Sequence, residues 1–232
     1  MDNSPLEIIP GIHNYCDRWC ERCPMTARCA VFAEEDQALD QDHDVTREAF
    51  WLKLAENFKR TRRMIEAMAA ERGIEFDPAE IAKIGKEQEA KRGEIRREPL
   101  VVLAGKYLKE ARALLSSNKY SENDLDEIDE DMLSIVHWYL FFISAKIHRG
   151  FHSFEETEKE NWQSDFNGSI KIALIAIDRS IAAWTSLTDR ENFEQIRPVV
   201  SLLETLRTGC EETFPGARGF LRPGFDEIEI VM

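Results

Sequence analysis

Apolar residues recur along most of the chain at the three-and-four spacing of amphipathic helices, and the alternation typical of strands is nearly absent. The clearest run extends from Thr46 to about Arg72. Its apolar face consists of Trp51, Leu54, Phe58, Ile65 and Met68. Gly73 predicts the end of this helix, and Asp77-Pro78 predicts the start of the next in the usual order of cap and proline.

The same reading predicts several further helices. They are a charged, weakly amphipathic helix over 78–97, an apolar one from Leu100 to Leu115, one that opens in SENDLDEIDED and runs through Met132 to His148, one from Ser169 to Leu187, and one over 191–213. Gly150 and a polar loop are expected to follow the third of these. The only strand-like piece is EIEIV, near the end of the sequence.

These elements predict an all-α bundle of about five or six helices with a cysteine-rich N-terminal metal-binding segment. We expect residues 1–44 to contain that segment and an acidic connector. Residues 45–216 would form the bundle, and residues 217–232 an irregular C-terminal tail.

Composition and charge narrow the function classes. The 232 residues are 43% hydrophobic and 32% charged, as in a globular protein, and the formal net charge is -14. Such a field repels phosphate backbones, so nucleic acid is a disfavoured partner, and the basic run Lys59–Arg63 fits a solvated helix face. The two most apolar stretches fall short of the roughly 20 residues that span a bilayer, and the N-terminus lacks a signal-peptide pattern. We therefore expect a cytoplasmic protein without a membrane partner.

Four of the five cysteines lie within fourteen residues, as Cys16, Cys20, Cys23 and Cys29. Their spacing is C-x3-C-x2-C-x5-C, in the segment YCDRWCERCPMTARC. A reducing cytoplasm argues against disulfides. Thiolates this close together are typical of ligands that share one metal centre. Cys210 stands alone and is expected to be structural.

An iron–sulfur cluster, most simply a [4Fe–4S] cluster, is the favoured cofactor. Gaps of two to five residues suit a tightly turning cluster loop, and Pro24 follows Cys23 as a proline follows the last cysteine of bacterial ferredoxin runs. Zinc is the alternative, although structural zinc sites usually use two cysteine pairs separated by a longer spacer. His13 could replace one sulfur.

The first three cysteines resemble the C-x3-C-x2-C motif of radical S-adenosylmethionine enzymes. That family has an aromatic residue before the third cysteine, where this chain has Arg22, and it uses a β/α barrel, whereas this chain has almost no strand signal. Cys29 is also close enough to fill a fourth position. A closed four-thiolate site is therefore favoured over a radical enzyme.

Two apolar helices carry polar stripes. One stripe contains His137 and His148 among its four-and-three steps, and the other contains Asp178 between Lys171 and Thr185. If the stripes faced each other, the two histidines and Asp178 would line a polar pocket suited to proton transfer or a second metal. If they faced outward, each would be an ordinary solvated helix face, which is the more common arrangement.

Three functions follow from these patterns. The first is an iron–sulfur protein with an electron-transfer, redox-sensing or accessory role. The second is a helical protein-interaction module stapled by zinc, and the third is an enzyme with its pocket in the bundle. A protein partner is expected for the first two, and the apolar helices could equally face a second copy of the chain.

Overall fold

The computed structural model describes residues 7–33, 46–74, 77–116, 127–154, 160–188 and 193–226. Regular structure within these ranges is helical, and no β-strand occurs in them. The prediction of an all-α bundle is confirmed. The strand-like EIEIV and most of the acidic connector lie outside the described residues.

Six long α-helices are described, together with short 3-10 turns and a further helical segment that begins at Ala30. The long helices are α1 Glu48–Glu71, α2 Pro78–Ile95, α3 Pro99–Leu115, α4 Glu127–Ser153, α5 Asp165–Ser186 and α6 Phe193–Thr213. The 3-10 turns are Ile12–Tyr15, Cys20–Arg22, Thr26–Arg28 and Ala217–Gly219.

Helix α5 is the centre of the bundle. It packs along α4 on one side and against α6 on another, while α3 bridges α4 and α6. Its apolar residues are buried almost all round, as the continuous apolar pattern of this segment requires. Trp184, Ile177 and Leu174 are completely buried among side chains of the neighbouring helices.

Gly150 is part of α4 rather than the start of a loop, so its predicted role as a helix stop is wrong. It is buried against α5, and a Cβ added there would lie 2.5 Å from Ile170 Cδ1. The glycine is therefore explained by the close approach of two helices. Helix α5 also begins earlier than predicted, because the Ser164 hydroxyl accepts a hydrogen bond from Asn167 N at 3.4 Å and caps its first turn.

Helices α1 and α2 lie largely outside the packed core. Gly73 takes a left-handed conformation with φ 65° after α1, and the Asp77 carboxylate caps α2 by accepting from Ala79 N at 2.8 Å, both as predicted. The predicted apolar face of α1 is exposed: Trp51 is 56% and Phe58 69% accessible.

None of the described helices combines the length and apolar character needed to cross a bilayer.

Candidate metal centre

The cysteine-rich segment folds as three successive 3-10 turns, and a cysteine follows each of them. Cys16, Cys23 and Cys29 end the three turns in extended conformations, and Cys20 opens the second. The Cys23 and Cys29 amides donate to carbonyls three residues earlier, at 3.1 Å each. A 3-10 turn is compact, so the three turns bring the cysteines closer together than an extended chain would.

All four cysteines line a single cavity. The space that a water molecule can enter there is only about 20 Å³, and the recess is partly open to solvent. Apolar side chains close much of its wall, namely Ile12, Met25, Val31, Phe32 and Phe225. Each of the four cysteines is partly exposed, and none of the five cysteines of the chain is in a disulfide. We call this space the cysteine cavity.

The lining of the cysteine cavity contains the donor types that a thiolate-bound metal or cluster takes. Four sulfurs are available, His13 lies in the same wall, and Met25 N donates to Cys23 Sγ at 3.4 Å. Hydrogen bonds to sulfur are one means by which proteins tune such centres. Among the described residues, however, no three His, Cys, Asp or Glu side chains are gathered closely enough to hold a metal ion.

Asp17 anchors the segment to the bundle. Its Oδ2 accepts hydrogen bonds from Tyr139 OH on α4 and from Arg179 Nη1 on α5, each at 2.7 Å, and its backbone carbonyl accepts from Trp138 Nε1 at 2.9 Å. Arg18, the next residue, has a left-handed φ of 60°. This conformation is uncommon for a residue with a side chain, and it falls between two cysteines of the cavity.

A second anchor is aromatic. The Trp19 ring stacks on Trp138 of α4 with centroids 4.9 Å apart and planes 15° from parallel. The guanidinium of Arg22 lies 4.1 Å from the Trp19 ring centroid and also binds Asp131 and Ser134 of α4. These contacts fix the second 3-10 turn on the surface of α4.

Gly168 of α5 creates the third anchor. A Cβ at this position would lie 2.4 Å from Tyr15 Cε1 and 2.7 Å from Phe220 Cζ. The two rings therefore pack against bare helix backbone, with their centroids 4.6 Å apart. Tyr15 OH also donates to Asp165 Oδ1 at 3.0 Å.

The C-terminal segment closes the cysteine cavity from the other side. Gly224 has a left-handed φ of 74°, and a Cβ there would lie 2.6 Å from Ile9 Cδ1 and 3.2 Å from Met25 Cε. Phe225 lines the cavity, and Arg222 Nη2 pairs with Asp226 Oδ1 at 2.7 Å. Part of the predicted irregular tail, from Arg222 to Phe225, thus lies beside the cysteine segment.

Burial changes the acidity of two groups at this site. It is the main reason why the pKa of the Cys16 thiol is raised. It also raises the pKa of Tyr139 to about 12, with a further increase from its hydrogen bond to Asp17. Without a metal, Cys16 therefore has less thiolate at neutral pH than an ordinary cysteine, and Tyr139 is a neutral hydrogen-bond donor.

The speculative second site is not assembled. His137 is exposed on α4, whereas Asp178 of α5 pairs with Arg218 at 2.7 Å and with Arg207 at 3.7 Å. His148 is partly exposed, and its pKa is lowered by partial burial and by nearby positive charges, first that of His152. The structure does not bring the two histidines and Asp178 together.

Sequence reasoning missed Asp17, Tyr139 and Arg179. Asp17 lies between two cysteines and Tyr139 within an apolar helix, and neither position carries a pattern that indicates a contact with the other. Of these three residues, only Arg179 could have been noticed from the sequence, because it is a charged residue within a strongly apolar segment.

Comparison of the chain with protein-family models, with curated proteins and with solved structures finds no match in any of the three.

Proposed function

We propose that this chain is a metal-binding protein in which Cys16, Cys20, Cys23 and Cys29 hold one iron–sulfur cluster, most simply [4Fe–4S]. The observation that carries the proposal is that all four cysteines line one cavity, although up to five residues separate neighbours. When bound, such a cluster supplies one-electron redox chemistry. The role proposed is electron transfer, redox sensing or service to a partner enzyme in a reducing cytoplasm.

The surroundings of the cysteines support this role. Apolar side chains such as Ile12 and Phe225 exclude water from part of the cavity, while the cysteines retain some exposure. Partial burial keeps a cluster from solvent and still leaves a short path for an electron to a docked partner. The amide of Met25, which donates to Cys23 Sγ, would stabilise charge on that sulfur.

Metal analysis of the protein tests the proposal. Protein purified without oxygen is expected to be coloured and to contain iron and acid-labile sulfide. Single Cys→Ser changes at the four positions should reduce both. Cys210→Ser is the matched control, because Cys210 is completely buried in the bundle, away from the cavity. Colourless protein with one zinc per chain would reject the cluster, as would equal loss of iron in the control.

A zinc-stapled interaction module is the second candidate, and the exposed face of α1 favours it. Trp51, Phe58 and Ile65 recur at heptad spacing and are each more than half exposed. The basic run Lys59–Arg63 lies on the same helix, in a chain of net charge -14. We propose that the occupant is an acidic amphipathic helix of a partner protein, because its charge complements this run.

The second candidate has its own test. A synthetic acidic amphipathic peptide should bind the zinc-loaded protein with an affinity that falls as salt is raised. Phe58→Ser should weaken this binding. Phe141→Ser is the control, because Phe141 is similarly exposed but belongs to α4. Concentration-dependent dimerisation lost in Phe58→Ser would instead show that a second copy of the chain covers this face.

A further inference from the structure

A second cavity adjoins the cysteine cavity, between the cysteine segment and helices α4 and α5. Its volume is about 400 Å³, within the range of small-molecule sites. The two cavities share five lining residues, namely Cys16, Asp17, Trp19, Cys23 and Phe225. We call it the arginine cavity, after Arg22, Arg179 and Arg222 in its lining.

The arginine cavity has no excess of positive charge. Its three guanidinium groups are matched by three carboxylates, that of Asp17 in the lining and those of Asp131 and Asp226 beside it. What the recess offers an anion is a set of directed N–H groups, because guanidinium donors form charge-assisted hydrogen bonds with carboxylate and phosphate oxygens.

Each guanidinium group is held in place by a carboxylate. Arg179 uses Nη1 to bind Asp17, Arg22 uses Nη2 to bind Asp131, and Arg222 uses Nε and Nη2 to bind Asp226.

These contacts use only some of the N–H groups of each guanidinium. Among the described residues, no hydrogen bond uses Arg179 Nε or Nη2, Arg22 Nε or Nη1, or Arg222 Nη1. Preorganised guanidiniums with spare N–H groups suit the two oxygens of a carboxylate or phosphate.

The rest of the lining is largely apolar or aromatic. Pro24, Ile135 and Phe225 contribute hydrophobic surface, and Tyr139 and Trp19 add aromatic edges. A ligand held by the guanidiniums would place its remaining atoms against this surface. A bare inorganic anion would leave it unused.

We propose that the arginine cavity binds a small organic anion, with a carboxylate or phosphate group on the arginines and an apolar or flat body against Ile135 and Phe225. This site does not depend on the identity of the metal, since its walls are protein. A bound ligand would lie against Cys16 and Cys23, so it would also influence whatever centre these cysteines hold.

Titration of the purified protein with benzoate and with neutral benzamide tests the proposal, with the tryptophan indole N–H signals as the NMR readout. Benzoate is expected to shift the Trp19 signal to saturation, and benzamide to leave it unchanged. This comparison needs no variant. Equal shifts by the two probes, or shifts by benzoate that never saturate, would overturn the proposal.

Variants locate the anion. Arg22→Gln and Arg179→Gln should each weaken benzoate binding about tenfold or more, the equivalent of one charge-assisted hydrogen bond. Arg207→Gln is the matched control, because it removes the same charge from α6, where Arg207 pairs with Asp178. Equal weakening by the control would overturn the site.

Inorganic phosphate, added as a competitor of benzoate, distinguishes the two classes of acidic group that the natural ligand could carry. Competition with benzoate would support a phosphate-bearing ligand, and binding of benzoate without competition would support a carboxylate.

Discussion

Replacement of Gly168 by alanine tests how the cysteine segment is attached to the bundle. In an open helix, this change stabilises by about 0.5–1 kcal/mol, because glycine is the poorer helix former. At position 168 the new Cβ would instead lie 2.4 Å and 2.6 Å from atoms of the Tyr15 ring, and 2.7 Å from Phe220. The two effects have opposite signs, so the sign of the result reports on the packing.

The steric effect should win. Overpacking of a tight contact typically costs about 1–3 kcal/mol. The Tyr15 ring cannot retreat freely, because its hydroxyl is bonded to Asp165, and loss of that bond adds about 1 kcal/mol. After the helix gain is subtracted, we expect Gly168→Ala to weaken the attachment of the segment by about 2 kcal/mol, or roughly thirtyfold in the opening equilibrium.

Two assays on metal-free, reduced protein measure this change. Urea unfolding gives the stability of the bundle, and the labelling rate of the Cys16 thiol gives local opening of the segment. Gly105→Ala is the matched control, because Gly105 is an exposed position of α3 where an added Cβ meets nothing within 4 Å. It should stabilise the protein and leave labelling unchanged. If Gly168→Ala behaves like this control, the described contact of Tyr15 and Phe220 with α5 is wrong.

Three more predictions concern other parts of the molecule. Burial raises the pKa of Cys210 to about 12, so this thiol should resist a thiol reagent at neutral pH in native metal-free protein, while the partly exposed cysteine quartet reacts. Mass spectrometry of the labelled sites checks this difference. Gly150→Ala should lower the stability by about 1–3 kcal/mol through its clash with Ile170. In urea unfolding, Ile170→Val should rescue part of that loss, and strictly additive effects would contradict the packing. Hydrogen bonds from Arg222 hold the pKa of Asp226 below the ordinary value of 3.8. The contribution of Asp226 to stability is therefore complete above pH 3.8, and it is lost as the pH falls through the lower pKa of the folded protein. Asp226→Asn should lower the stability at neutral pH and flatten this acid dependence, and an unchanged acid profile would refute the assignment.

The helices could be predicted from sequence because each is determined locally. The three-and-four spacing of apolar residues, the Asp77-Pro78 start and the Gly73 stop are all properties of neighbouring residues. Gly150 shows where such reasoning ends. A glycine after an apolar helix looks like a stop, and only the approach of Ile170 from another helix reveals that it is a packing position.

Of the candidate site, the sequence predicts the four cysteines but not the residues that attach their segment to the bundle. The spacing of the cysteines predicted a shared metal centre. The structure places all four around one cavity, but within the described residues it does not gather three metal-ligating side chains closely enough to hold an ion, so the centre stays a prediction. The anchors of that cavity join distant parts of the sequence: Asp17 meets Tyr139 and Arg179, more than a hundred residues away. No periodic pattern encodes such pairs, because a single hydrogen bond between distant segments needs only one suitable residue in each.

These anchors connect the proposed metal site to the fold. The wall of the cysteine cavity is formed by the N-terminal turns and by Phe225 of the C-terminal segment, so a metal that binds only the closed arrangement must also stabilise the docking of both. By the same linkage, a change that opens the segment lowers the affinity for the metal in proportion to the closed population that is lost. A roughly thirtyfold shift in the opening equilibrium therefore weakens metal retention by up to about thirtyfold, and the full factor applies when the open form predominates without metal. Gly168→Ala, which touches no cysteine, should weaken metal retention by the loss of closed population that Cys16 labelling measures, whereas Gly105→Ala should not. A metal affinity that is unchanged while labelling shows this loss would mean that the cysteines can close around the metal without the bundle, and the site would then be a separate module on the same chain.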